Sequence, residues 1–245
     1  MLAAALLVAA LGLLAHGWFT KRSFAARIAW AVRAGSMSRP RATLGWALAI
    51  VVTYGVTALV GLALLGRLPA VTVLPPELGV AASALSIAPI ALEAVAEIAW
   101  SLAGGFLLGA LTVIVMTRRG WRVVRMYRSP SAAMNTREAG AALVLSAAAG
   151  VGEELFFRLA IPLLGAIVFG SGVAGCVLGW AAFTLAHRYQ GALGMAAVGL
   201  VGAVLAWLYL ATGLLWLVML LHTLVDASAL VLRPWLERVA RPRVI

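Results

Sequence analysis

Two adjacent carboxylates, Glu153 and Glu154, and an arginine, Arg158, stand between strongly apolar runs at 141–149 and 159–164. Charges in such surroundings are costly in a protein core or a bilayer, so they are paired, functional or both. On a helix Glu154 and Arg158 are four residues apart, share a face and can pair. Each residue turns a helix by about 100°, which points Glu153 in another direction. Glu154 is therefore expected to hold Arg158, leaving Glu153 for a different partner. A structural ion-pair cluster would account for Glu154 and Arg158 but not for the extra carboxylate.

Two later apolar segments carry partners of the right kind. One ends in Phe183-Thr184-Leu185-Ala186-His187, which puts the Phe183 ring one turn before His187 on the same face. The other contains His222-Thr223-Leu224-Val225-Asp226, where His222 and Asp226 share a face. An imidazole beside a carboxylate in apolar surroundings suits tautomer control, metal ligation or general-base work. If the segments converge, Glu153 and His187 could take a proton from water, directly or through a metal, and His222 could stabilise an oxyanion. The chemistry that fits is peptide-bond hydrolysis. Glu93 and Glu97 form another same-face pair but rank lower, and His16 reads as interfacial. Cys176 has no partner for an internal disulfide and no metal-site spacing.

The elements that must position these residues are membrane spans. The chain has 245 residues, of which 64% are hydrophobic and 11% charged, against roughly 45–50% and 25% in a soluble domain. Several runs reach the ~20 apolar residues that a span needs. The composition points to an all-α polytopic transmembrane bundle of about seven or eight helices. The net charge of +11 is read as basic loops that set topology and meet anionic lipid, with no nucleic-acid partner.

In order, spans are expected at 2–19, 43–65, a long or bent segment at 84–117, one starting near 138, one ending at 187–188, one at 193–210 and one at 214–232. The stretch 66–83 reads as a short non-helical loop. Pro162 is expected to kink or end the fourth span, and Arg233-Pro234 to close the seventh. Gly170-Ser171-Gly172 and Thr212-Gly213 read as turns. Basic residues gather after the first span (Lys21, Arg22, Arg27, Arg33, Arg39, Arg41), after the third (Arg118, Arg119, Arg122, Arg125, Arg128, Arg137) and in the tail (Arg238, Arg241, Arg243). This alternation predicts an outside N terminus and a cytoplasmic C terminus. The first segment is read as a retained span, not a signal peptide, because its basic residues follow the apolar core. Three regions result: N-terminal spans and loops at 1–135, a catalytic core at 136–232 and a basic tail at 233–245.

Glu153-Glu154-x-x-x-Arg158, Phe183-x-x-x-His187 and His222-x-x-x-Asp226, in this order and with the Tyr189-Gln190-Gly191 continuation, resemble the CPBP family of intramembrane proteases. That family includes type II CAAX prenyl endopeptidases and relatives linked to bacteriocin processing and self-immunity, the Abi proteins. The resemblance implies that Glu153 and His187 activate water and that His222 with Asp226 lines an oxyanion site or binds metal. Glu154, Arg158 and Phe183 would support them. It also implies a membrane-associated protein or peptide substrate, in a cell membrane that the Ala/Arg-rich composition and small size suggest is bacterial. The family's mechanism is described either as zinc-dependent, with Glu153, His187, His222 and Asp226 as candidate ligands for zinc or another divalent metal, or as metal-independent. No His-Glu-x-x-His zinc helix occurs here.

Two positions depart from the family pattern. Leu159 stands where glycine is frequent, and Asp226 where the eukaryotic CAAX proteases usually have asparagine. An ionised aspartate cannot donate to an oxyanion, so Asp226 would be protonated, orient His222 or ligate a metal. Two readings compete with proteolysis: a transporter or channel lined by the same charges, and a non-catalytic scaffold or immunity protein of the same fold. No internal repeat supports a transporter built from inverted halves.

Overall fold

The computed structural model describes residues 1–19, 24–119 and 129–240. Lys21, Arg22, Arg122, Arg125, Arg128, Arg241 and Arg243, which the topology reading uses, lie outside the described residues. Among the described residues every regular element is helical: α1 Leu2–Phe19, α2 Phe24–Arg33, α3 Arg39–Ile50, α4 Thr57–Leu64, α5 Pro76–Ala84, α6 Val95–Arg118, α7 Thr136–Glu154, α8 Ile161–Phe169, α9 Gly172–Ala186, α10 Gly191–Thr212, α11 Leu215–Ala227 and α12 Arg233–Ala240. Wide π turns join α3 to α4 (Val51–Val56), α7 to α8 (Leu155–Ala160) and α11 to α12 (Ser228–Leu232). Among the described residues three continuous helices, Arg39–Leu64, Arg188–Thr212 and Leu215–Ala240, are long and apolar enough to cross a membrane. Leu2–His16, Leu107–Arg118 and Gly172–Ala186 are apolar but shorter.

A helix, α1, occupies the stretch 2–19 read as the first span, and the turns at Gly170-Ser171 and Gly213 fall where the sequence placed them. Ser171 caps α9 by accepting from Ala174 N–H, and Gly170 supplies the left-handed residue that ends α8. Three expectations need correction. The stretch 66–83 is not a plain loop: it contains a 3₁₀ turn, Leu68–Val71, and most of α5. Pro76 suits the first helical turn, where a missing N–H costs nothing, and Leu78, Ala81 and Ala82 bury one side of the helix. An ion pair between Arg67 and Glu77 fastens its start. The long third segment is not continuous either, since α5 stops at Ala84 and α6 begins only at Val95.

The third correction concerns the prolines. Neither Pro162 nor Pro234 ends its helix; each sits as the second residue of a helix that follows a π turn. Proline lacks an N–H and its ring clashes with the carbonyl four residues back. A wider turn relieves that clash, so the chain continues. For Pro234 the residue four back is Leu230, whose carbonyl accepts the Ala133 N–H at 2.8 Å instead.

α7 lies between α11 and α3, while α8 packs on α9, and α10 packs on α9 and α11. The α8–α9 contact is close because Gly175 has no side chain: a Cβ there would stand 2.7 Å from Ala166 N. Small residues allow such approach between helices in a membrane. Phe156, Phe157, Leu159, Ile161, Leu163 and Tyr209 fill the core. Tyr54, carried on the first π turn, stacks on Phe156 and Phe157 at 5.2 and 5.1 Å. Leu159 is fully buried, so the side chain at this position is part of the core packing.

Asn135 caps α7: its side chain accepts from Glu138 N–H at 3.0 Å, and the Glu138 carboxylate takes Met134 N–H at 2.8 Å. Reciprocal bonds of this kind satisfy donors that the helix start leaves open. The preceding segment, 129–135, is tied to its surroundings at several points. Arg39 donates to Ala132 O at 2.7 Å and pairs with Glu138 at 3.3 Å. Thr43 bonds Ser131 at 3.0 Å, and Arg238 donates to Met134 O.

Candidate active site

Glu153 and Glu154 close α7, Arg158 lies on the following π turn, His187 follows the last residue of α9, and His222 and Asp226 lie on α11. The structure brings all of them together. The Glu154 and Arg158 pairing expected from helical spacing is present: Arg158 Nε lies 3.2 Å from Glu154 Oε2, an ion pair whose angle falls short of a hydrogen bond. Both groups are almost completely buried, at 0% and 3% exposure. Arg158 also donates to Gly202 O at 3.4 Å and lies 4.0 Å above the Phe183 ring. An arginine over an aromatic face is held by the ring quadrupole as well as by its ion pair.

Glu154 has a second partner that spacing did not reveal. His222 Nδ1 lies 2.7 Å from Glu154 Oε1. A carboxylate accepts and does not donate, so Nδ1 carries the proton. The other ring nitrogen, Nε2, lies 3.9 Å from Asp226 Oδ2, within ion-pair reach but too long for a hydrogen bond. Of the two carboxylates beside the His222 ring, Glu154 reaches hydrogen-bond distance and Asp226 does not.

Glu153 turns away from Glu154, as the helical arithmetic requires, and faces His187. Its Oε2 stands 3.8 Å from His187 Nε2 and makes no hydrogen bond, although the atom is buried. His187 Nδ1 lies 2.9 Å from Phe183 O. A carbonyl can only accept, so Nδ1 holds the proton and neutral His187 presents the Nε2 lone pair to Glu153. The Phe183 ring packs 4.7 Å from His187 and 5.9 Å from His222, between the two imidazoles.

Glu153, Phe183, His187, His222 and Asp226 line one cavity of about 390 Å³. Its apolar walls include Trp46 and Ile50 of α3 together with Leu193, Ala197 and Val201 of α10. Gln190, Arg233, Glu237 and Arg238 add polar groups to the lining. The sequence reading had no signal for the α3 and α12 contributions, since neither helix carries a motif. Glu93, Glu97 and His16 are exposed, and none of them lines the cavity.

Among the described residues no three His, Cys, Asp or Glu side chains form a group able to hold a metal ion. Glu153, His187, His222 and Asp226, the ligand set that the family resemblance implies, are not such a group as placed, although each ring bonds through Nδ1 and leaves Nε2 open to the cavity. What the arrangement does offer is an acceptor pair, Glu153 and His187, facing the same space as a histidine whose orientation is fixed from behind.

Compared with known proteins, residues 135–228 match the family model described as type II CAAX prenyl endopeptidase Rce1-like. No curated protein and no solved structure matches the chain.

Proposed function

We propose that the chain, whose residues 135–228 match the Rce1-like model of type II CAAX prenyl endopeptidases, is an intramembrane endopeptidase in which Glu153 is the general base. The observation that carries this reading is the placing of Glu153 Oε2 3.8 Å from His187 Nε2 in the cavity that His222 also lines. That separation is too long for a direct hydrogen bond and short enough for one water to touch both groups.

In this mechanism the water donates one hydrogen toward Glu153 and the other toward His187 Nε2, which directs its lone pair at the substrate carbonyl. Glu153 takes the proton as the C–O bond forms. The carbonyl oxygen becomes an oxyanion, and His222, when both of its nitrogens are protonated, donates Nε2–H to it. Collapse of the tetrahedral intermediate breaks the C–N bond, and Glu153 returns its proton to the leaving amine. Glu154 and Arg158 act from behind, holding His222 and each other. Asp226, 3.9 Å from His222 Nε2, lines the cavity without bonding that nitrogen, which leaves Nε2–H free for the oxyanion. The substrate is a membrane-associated protein or peptide, since the cavity lies among apolar helices.

The test is cleavage of a peptide library by purified protein in liposomes, comparing wild type with Glu153→Ala, His187→Ala and His222→Ala. Loss in all three variants is expected, with wild-type cleavage persisting after chelation and removal of bound metal. Equal cleavage by all four proteins would sink the reading, and loss on chelation would replace the metal-free route with a metal-dependent one. Ion flux through wild type that depends on Glu153, without cleavage, would instead make the chain a channel or transporter. Alanine variants that keep the cellular function would make it a scaffold.

A further inference from the structure

Gly150 lies one turn before Glu153 and Glu154, on the face of α7 that meets α11. A Cβ at Gly150 would stand 2.7 Å from Met219 O and 2.8 Å from Thr223 N, and would also run into Thr223 Oγ1. The first two are backbone atoms of the helix that carries His222, and they cannot rotate aside. The hydroxyl has little room to move either, because Thr223 Oγ1 is bonded to Met219 O at 2.8 Å. Behind α7, a Cβ at Gly152 would already stand 3.3 Å from Ile50 Cγ2 and 3.5 Å from Gly55 N. α7 therefore has no room to retreat toward α3, and any added bulk must push α11 away.

We propose that Gly150 is a positioning residue, whose bare Cα sets the spacing of α7 and α11 and through it the hydrogen bond from His222 to Glu154. The inference rests on the reading of His222 as the oxyanion donor. Carbon contacts settle at about 3.5–4.0 Å, so a side chain at Gly150 forces α11 back by roughly 0.5–1 Å. A retreat of that size takes the 2.7 Å contact between His222 Nδ1 and Glu154 Oε1 to or beyond the limit for a hydrogen bond. His222 then loses the group that fixes its ring.

The chain has only three histidines, so the His222 Nδ1–H resonance can be assigned in ¹⁵N-histidine-labelled protein by its loss in His222→Gln. Gly150→Ala is expected to move that resonance toward the position of a weaker hydrogen bond and to cut turnover about 100-fold, the cost of a misplacement near 1 Å, with little change in KM. Gly175→Ala, which creates a comparable clash between α8 and α9, is expected to leave the resonance in place. An unmoved resonance in folded Gly150→Ala overturns the proposal. If that variant does not fold, Thr223→Ile places bulk on the same contact from the other side, and an unmoved resonance there overturns it equally. A resonance that moves in a protein whose wild type cleaves no peptide would uphold the role of Gly150 and remove the proteolytic reading.

Discussion

Glu154 is the residue on which the others depend. It is fully buried and meets both Arg158 and His222. Its neighbour Glu153 keeps an unbonded oxygen in the cavity wall. The two carboxylates thus have different surroundings, and in the proposed mechanism one fixes the oxyanion donor and the other meets the water. Glu154→Gln keeps the shape but loses the charge that holds Arg158 and the Nδ1 proton of His222. Its expected effect is a drop in kcat of about 10- to 100-fold, the range for partners that orient a catalytic group, with KM nearly unchanged; steady-state kinetics in liposomes would show it. A Glu154→Gln enzyme with full kcat would mean that His222 needs no fixed orientation. The pairing of Glu154 with Arg158 was legible in the sequence because spacing within one helix is local. The bond to His222 spans 68 residues, and spacing within either helix says nothing about which two helices face each other.

At the scale of elements, the features that shape the site are the π turns and the prolines that follow them. The sequence marked Pro162 as a kink or an end and Pro234 as an end, a sound reading of proline on its own. It carried no sign of the wide turns that absorb them, because Leu155–Ala160 and Ser228–Leu232 hold no residue pattern that marks a π turn. The helix that carries His222 consequently runs on to Ala240 and brings Arg233, Glu237 and Arg238 to the cavity. Pro234→Ala restores an N–H that competes with Ala133 for Leu230 O. Helix propensity alone favours alanine by about 3 kcal/mol, yet the variant is expected to loosen the segment 129–135. Faster amide exchange at Ala133 and easier proteolysis near Ser131 would reveal this. Unchanged exchange at Ala133 would show that its bond to Leu230 does not hold the segment.

For the whole molecule, the alternation of basic loops supports an N terminus outside and a C terminus in the cytoplasm. Reporter tags at the two ends are expected to be accessible from opposite sides of the membrane, and labelling of both from one side would reverse the assignment. The all-helical membrane class was legible from composition, and the residues that share the cavity from three short motifs. The number and bounds of the helices were not, since α5 and the split after Ala84 depend on which apolar residues find partners. The segment 129–135 has a further consequence. It is fastened to residues 88, 93 and 104 positions away, at Thr43, Arg39 and Arg238, while all the motif residues lie between 153 and 226. The motif residues are local in the chain, but their enclosure is of high contact order and draws on both ends. The fragment 135–228 would hold every reacting group and still lack the walls given by Trp46, Ile50 and Arg233. Folding of the whole chain is therefore expected to finish with closure of the cavity, when α3 and α12 dock on motif residues that have already gathered.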